Sequence, residues 1–145
     1  MIPVIGLLHM KGGTVWTAEP EQSVFEALKL LDEKNLGALP VVENGRLVGM
    51  FSERDYARKV ALQGRNSHET KVGDIMTSKV YYVDPQMRLE GCMQMMTEKH
   101  IRHLPVVDED KLVGIITIGD VIRVIFMEQE RAIKDLENYV FTSMY

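Results

Sequence analysis

The sequence predicts an α+β fold: two β-α-β-β-α repeats related by pseudo-twofold symmetry, their sheets packed together, plus a C-terminal helix. Two observations predict it. First, the chain matches itself. Shifted by 65 residues, Val15–Val60 meets Val80–Ile125 without a gap, with 13 identities in 46 positions. The identities cluster, Leu39-Pro40-Val41-Val42 on Leu104-Pro105-Val106-Val107 and Leu47-Val48-Gly49 on Leu112-Val113-Gly114, which chance does not produce. Second, extended and helical periodicities alternate in the same order in both copies.

Each copy opens on a short extended run, Val15-Trp16-Thr17 or Val80-Tyr81-Tyr82-Val83, stopped by Glu19-Pro20 or Asp84-Pro85. A helix follows. Val24, Ala27, Leu28 and Leu31 share one face, and Leu89, Cys92, Met93 and Met96 repeat it. Ser23 is placed to cap the first of these helices. Two strands come next, Ala38–Val42 and Leu47–Phe51, joined through Asn44-Gly45, a strong tight-turn signal. Their counterparts are Leu104–Val107 and Leu112–Thr117. A second helix starts near Arg54–Asp55 and near Asp120. Polar Gln63–Thr70 reads as the linker, and Val121–Val140 as a long helix. Repeat 1 is expected over 8–65, repeat 2 over 72–128 and a helical extension over 129–145. One unit of this size buries its sheet poorly alone, so the two copies are expected to share one core.

Composition narrows the function classes. The chain is 46% hydrophobic with a net charge of −4 and a pI near 5.6, which argues against nucleic-acid or anionic-membrane partners. The apolar start, Met1–Leu8, is too short to span a membrane and lacks a basic n-region and a cleavage site. Cys92, the single cysteine, allows no internal disulfide and no cysteine-rich zinc site, and a reducing cytoplasm suits it. On its apolar helix face it reads as core. No Walker loop or Gly-x-Gly-x-x-Gly is present, and the four histidines show no metal-ligand spacing with carboxylates. No nucleophile sits beside a base. The chain is therefore expected to be neither an enzyme nor a metal protein.

The run Ala38-Leu39-Pro40-Val41-Val42, turn, Leu47-Val48-Gly49, then Ser52-x-x-Asp55, resembles the CBS (cystathionine β-synthase) domain, as does its second copy ending in Thr117-x-x-Asp120. Val72-Gly73-Asp74-Ile75-Met76-Thr77 resembles the lead-in to such a repeat. The tandem resembles a stand-alone bacterial Bateman module over roughly residues 8–128. That resemblance implies a regulatory adenine-nucleotide-binding module and sensor. AMP or NAD, or else ADP, ATP or S-adenosylmethionine, would sit in clefts between the repeats. A homodimer and an unidentified regulated protein are implied as partners. The competing reading is an interaction module with empty clefts.

Adenosine recognition needs a diol acceptor, a slot for a flat base and phosphate donors. Asp55 and Asp120 are the diol candidates, because an ionised carboxylate can accept both ribose hydroxyls. Ser52 and Thr117 add hydroxyls. The same Ser/Thr-x-x-Asp spacing is also that of a helix N-cap, an alternative that needs no ligand. The base slot is expected beside Gly37-Ala38-Leu39-Pro40 and Arg102-His103-Leu104-Pro105, with Val15 and Val80 alongside. By the family's pattern Arg102 and His103 reach phosphate. Arg54, Arg58 and Lys79 are further donors, since an arginine fork suits phosphate. Gly119 stands where the first copy has Arg54, so the two clefts are expected to be unequal. Trp16 and Tyr81 occupy equivalent places and are expected in the core, with base stacking the alternative.

Overall fold

The computed structural model describes residues 2–143. Met1, and residues 144–145 of the expected extension, lie outside the described residues. The chain runs α1 (Val4–Lys11), α2 (Val24–Lys34), β1 (Ala38–Glu43), β2 (Arg46–Ser52), α3 (Glu53–Tyr56) and a π-helical turn over Ala57–Ala61. It continues through α4 (Val72–Ile75), α5 (Leu89–Lys99), β3 (His103–Asp108), β4 (Lys111–Thr117) and α6 (Ile118–Ser143). The repeat is exact in register. Ala38 faces Ser52 as His103 faces Thr117, and both hairpins carry a bulge at the same place, after Val41 and after Val106.

Local chemistry explains the element ends. Ser23 caps α2, its hydroxyl accepting from the Glu26 N–H at 3.1 Å. Asn35 and His100, equivalent in the two repeats, close α2 and α5 in the left-handed region. Asn44 and Gly45 both have positive φ, as the tight β1–β2 turn requires. The linker is docked: the Ser67 and Thr70 carbonyls accept from the Phe25 and Val24 N–H groups at the start of α2.

Two expectations change. The first strand of each repeat shrinks to one parallel bridge, Ala18 with Val41 and Val83 with Val106. The proline explains it. The Pro40 carbonyl accepts from Ala18 N–H, and Val42 N–H donates to Ala18. The next parallel rung would need an N–H at Pro40, which has none; Pro105 ends the other ladder likewise. Both prolines are buried inside β1 and β3 and do not mark strand starts.

The second change concerns the core. The expected single shared core is two clusters. One joins Val24, Ala27, Leu31, Leu39, Val41, Phe51 and Val60 with Val72 and Ile75 of the second repeat's lead-in. The other joins Leu89, Cys92, Met96, Leu104, Val106, Ile116, Val121 and Val124 with Val4 and Leu7 of α1. Each hairpin is thus covered by a segment that precedes the opposite repeat. The fit is close. A Cβ on Gly49 would meet Met76 Sδ at 2.5 Å, and one on Gly114 would meet Leu8 Cδ2 at 2.7 Å. Crossed lead-ins and the contact between β2 and β4 hold the halves together. Leu8, at the start of the expected first repeat, therefore packs on the second core, within α1. Likewise α6 runs unbroken through the 128/129 boundary.

Candidate functional site

Where the hairpins meet, the Gly37–Pro40 and Arg102–Pro105 segments touch: a Cβ on Gly37 would lie 3.4 Å from His103 Cε1. Beside this contact opens a cleft of about 620 Å³, within the range of small-molecule sites. It gathers residues from both repeats. Ser52 and Asp55 lie on its wall with Gly37 and Ala38; Val80 and His103 face them from the second repeat. Arg54, Lys79 and Arg102 bring positive charge. So does Lys99, which lines the cleft beside His100; sequence reasoning missed both. The signal for Lys99 was its identity with Lys34 across the repeat. Tyr81 lines the cleft and packs against the second core, with Lys99 Nζ 5.2 Å from its ring. Its counterpart Trp16 is not core: it is 37% exposed and carries Lys34 over its ring at 4.3 Å.

The remaining candidates lie elsewhere. Asp120 and Thr117 sit at the equivalent β4–α6 junction of the second repeat, outside this cleft's lining. Val15, Pro40 and Pro105 do not line it either. Arg58 is exposed on the π-helical turn.

Both aspartates are caps. Asp55, 8% exposed, forms a capping box with Ser52: its Oδ2 accepts from Ser52 N–H at 3.0 Å and Ser52 Oγ at 3.1 Å, while Asp55 N–H donates back to Ser52 Oγ. Its Oδ1 accepts from Thr77 Oγ1 and pairs with Lys59 Nζ, each at 3.1 Å. All of its roughly four acceptor positions are engaged. Asp120 repeats the cap: Oδ2 accepts from Thr117 N–H at 2.9 Å and Asp120 N–H donates to Thr117 Oγ1. The rest differs. Oδ2 also takes Lys11 Nζ at 2.9 Å, and Oδ1 has no hydrogen-bond partner among the described residues. Sequence reasoning missed Lys11, whose partner lies 109 positions away.

The environment sets the protonation states. Burial pushes the Asp120 carboxyl up, but hydrogen bonds from Lys11 and Thr117 and the Lys11 charge outweigh it, and the net pKa lies below the ordinary aspartate value. His103 is pushed below the ordinary histidine value, chiefly by burial, then by the Lys11 charge; Asp120 opposes this and Arg102 adds to it. The ring is held neutral at pH 7, with one donor and one acceptor nitrogen. Cys92 is fully buried and its thiol is pushed up to about 11 by burial and by Asp84, which suits packing and not nucleophilic attack. Among the described residues no group of three His, Cys, Asp or Glu could hold a metal, and no helix is long and apolar enough to cross a membrane.

Comparisons with known proteins identify relatives of the same fold. A family description, "CBS domain", matches residues 13–62 and 72–127. The CBS domain-containing protein CBSX3, mitochondrial, of Arabidopsis thaliana is 40% identical over 134 residues; the match covers 89% of this chain and 65% of that protein. The chain thus spans somewhat under two thirds of that relative's length. Among solved structures, a putative signal-transduction protein with CBS domains from Burkholderia ambifaria superposes with a TM-score of 0.82 at 45% identity, covering 88% of this chain and 96% of that one. The CBS domain pair of MJ0100, solved with 5-methylthioadenosine and S-adenosyl-L-methionine, gives a TM-score of 0.77 at 28% identity over 88% and 98%. CBSX2 in complex with AMP gives 0.76 at 27% over 89% and 99%.

Proposed function

The chain belongs to the CBS domain family as a tandem pair, and from that premise we propose that it is a regulatory module that senses an adenine nucleotide in the clefts between its repeats. One observation carries the proposal. A single cleft brings together the Ser52–Asp55 pair, backbone at Gly37–Ala38 and Val80–Tyr81, and the cations Arg54, Lys79 and Arg102, drawn from both repeats. Relatives of the same fold hold AMP or S-adenosylmethionine.

The roles follow from the chemistry. Asp55 and Ser52 take the ribose hydroxyls, Asp55 by exchanging the Thr77 or Lys59 contact for the diol. The exchange is close to balanced, since one charge-assisted bond replaces another. The base slides between Tyr81 and the Gly37 segment, with neutral His103 reading a base edge. Arg54, Lys79 and Arg102 meet phosphate, and Arg58 stays in solvent. Asp120, Thr117, Val15, Pro40 and Pro105 belong to a second, unequal cleft. The cations Arg54, Lys79 and Arg102 around the first cleft favour AMP, ADP, ATP or NAD over an uncharged nucleoside. A ligand touching both repeats acts by population shift, through its differential affinity for two arrangements of the halves. The module is a cytoplasmic homodimer, neither enzyme nor metal protein, with repeats at 8–65 and 72–128, and it hands its state to a partner protein. A second reading, an interaction module, is favoured by the capping of both aspartates by their own chain.

Titration calorimetry and thermal melting with AMP, ADP, ATP, NAD and S-adenosylmethionine test the sensor reading. A bound nucleotide at a hundredfold excess over its Kd stabilises the native state by about 2.7 kcal/mol. Heat of binding with a raised Tm for at least one compound is expected. Neither signal with any of the five leaves the interaction module.

A further inference from the structure

We propose that Lys11 is an intramolecular competitor for ligand at the second cleft, so that a ribose gripped by Asp120 releases the end of α1. This rests on the nucleotide reading above.

The two aspartates face different neighbours. At Asp55 the outer contacts come from Lys59, on the turn that continues its own helix, and from Thr77. Around Asp120 the equivalent positions are Val124 and, after α1, Gly12, which can supply neither contact. Lys11 fills the vacancy from a distant element. Its ammonium lies 2.9 Å from Asp120 Oδ2 and also donates to the Ile115 carbonyl at 3.0 Å. With Thr117 N–H on the same oxygen, Oδ2 is full. A diol wants one carboxylate oxygen for each hydroxyl. In a bidentate grip Oδ1 is free for one hydroxyl, and the other competes with Lys11 for Oδ2.

Lys11 can leave without unfolding its helix. The start of α1 is pinned to the second repeat, with Val4 N–H on the Met87 carbonyl and Ile5 N–H on that of Pro85. Its end passes straight into Gly12 and Gly13, both at positive φ with nothing within 4 Å of a would-be Cβ. Beyond the last-turn packing of Leu8, the Lys11 side chain is the tether at that end. Occupancy of the second cleft is thereby written into the position of the α1 terminus.

Adenosine, which has the diol and no phosphate, isolates the competition. Backbone amide NMR reads the clefts separately, with Thr117 and Ile118 reporting the second and Ser52 and Asp55 the first. A half-exposed ion pair contributes modestly, so Lys11→Met is expected to lower the adenosine concentration at half-saturation of Thr117 about two- to fivefold. Lys11→Arg, which keeps the charge, should behave as the parent, and the Ser52 response should match in all three. In the parent, adenosine should also speed amide exchange at Met10–Gly12. Unchanged or weaker Thr117 saturation in Lys11→Met overturns the competitor role, as does a Thr117 that stays silent in all three proteins while Ser52 responds. If neither cleft responds to adenosine, AMP or ATP in any of them, the nucleotide reading falls and the competitor falls with it.

Discussion

His103 shows how a single side chain records its surroundings. Its neutral form is favoured in the fold because the ring is partly buried and feels the Lys11 and Arg102 charges, which outweigh the opposing Asp120. A depressed pKa means the unfolded chain binds the proton more readily. The stabilisation is therefore complete above the ordinary histidine value of about 6.5 and is lost as pH falls through the lower folded value. A pH series of urea melts should show stability declining below about 6.5, and His103→Gln should flatten that decline. A parallel decline in the variant would assign it to other groups. At this scale the sequence was half legible. The Ser/Thr-x-x-Asp spacing exposed both aspartates and their cap geometry, because a cap is local in the chain. Lys11 and Thr77 were not legible as their partners, because only the fold brings an ammonium at position 11 to a carboxylate at 120, whereas Lys59, four residues after Asp55, was within reach of helical spacing.

At the scale of elements, the hairpins were legible nearly to the residue, since alternation and an Asn-Gly turn encode them locally. The lead-ins were not. Nothing in Val72–Thr77 announces that it covers the first hairpin, or that α1 covers the second. The trace left in the sequence is Gly49 and its copy Gly114. Neither has a positive φ. Each is small because a crossing side chain occupies the space: Met76 on one, Leu8 on the other. At Gly49 the Thr77 carbonyl also stands 3.1 Å from a would-be Cβ, and Thr77 exchanges both backbone hydrogen bonds with Met50. A methyl there must push main chain as well as a flexible thioether. Gly49→Ala should thus cost about 1–3 kcal/mol in denaturant unfolding, as overpacked sites do. Gly114→Ala, which meets only the tip of Leu8 within its tightest contacts, should cost less. Equal costs would mean that the two lead-ins yield alike.

For the whole molecule the question is what α6 is for. Val121 and Val124 pack into the second core, so the Val121–Ile125 face is largely spent on the chain's own interior. The exposed apolar side chains begin at Ile122 and run past the body: Phe126 at 62%, Ile133, Leu136 at 64% and Val140. Phe126, Ile133 and Val140 recur every seven residues, with Ile122 and Leu136 offset onto the same side and Gln129 interrupting them. That is a heptad seam with three β-branched residues, Ile122, Ile133 and Val140, the pattern of paired helices. From residue 128 to residue 143 nearly every position is exposed, and a helix segment of that length is marginal in water without a cover. A second copy of the chain supplies a cover with the same heptad, and the homodimer proposed above places two such helices within reach of each other. Light scattering coupled to size exclusion should then give twice 16.5 kDa for the parent chain. Leu136→Glu with Val140→Glu should shift the protein toward monomer and lower the helical signal of the arm, while adenosine still saturates Ser52 in the first cleft. A parent that is monomeric at concentrations well above micromolar removes the dimer and leaves the arm to a different protein. A double variant that stays dimeric keeps the dimer but moves its interface off α6.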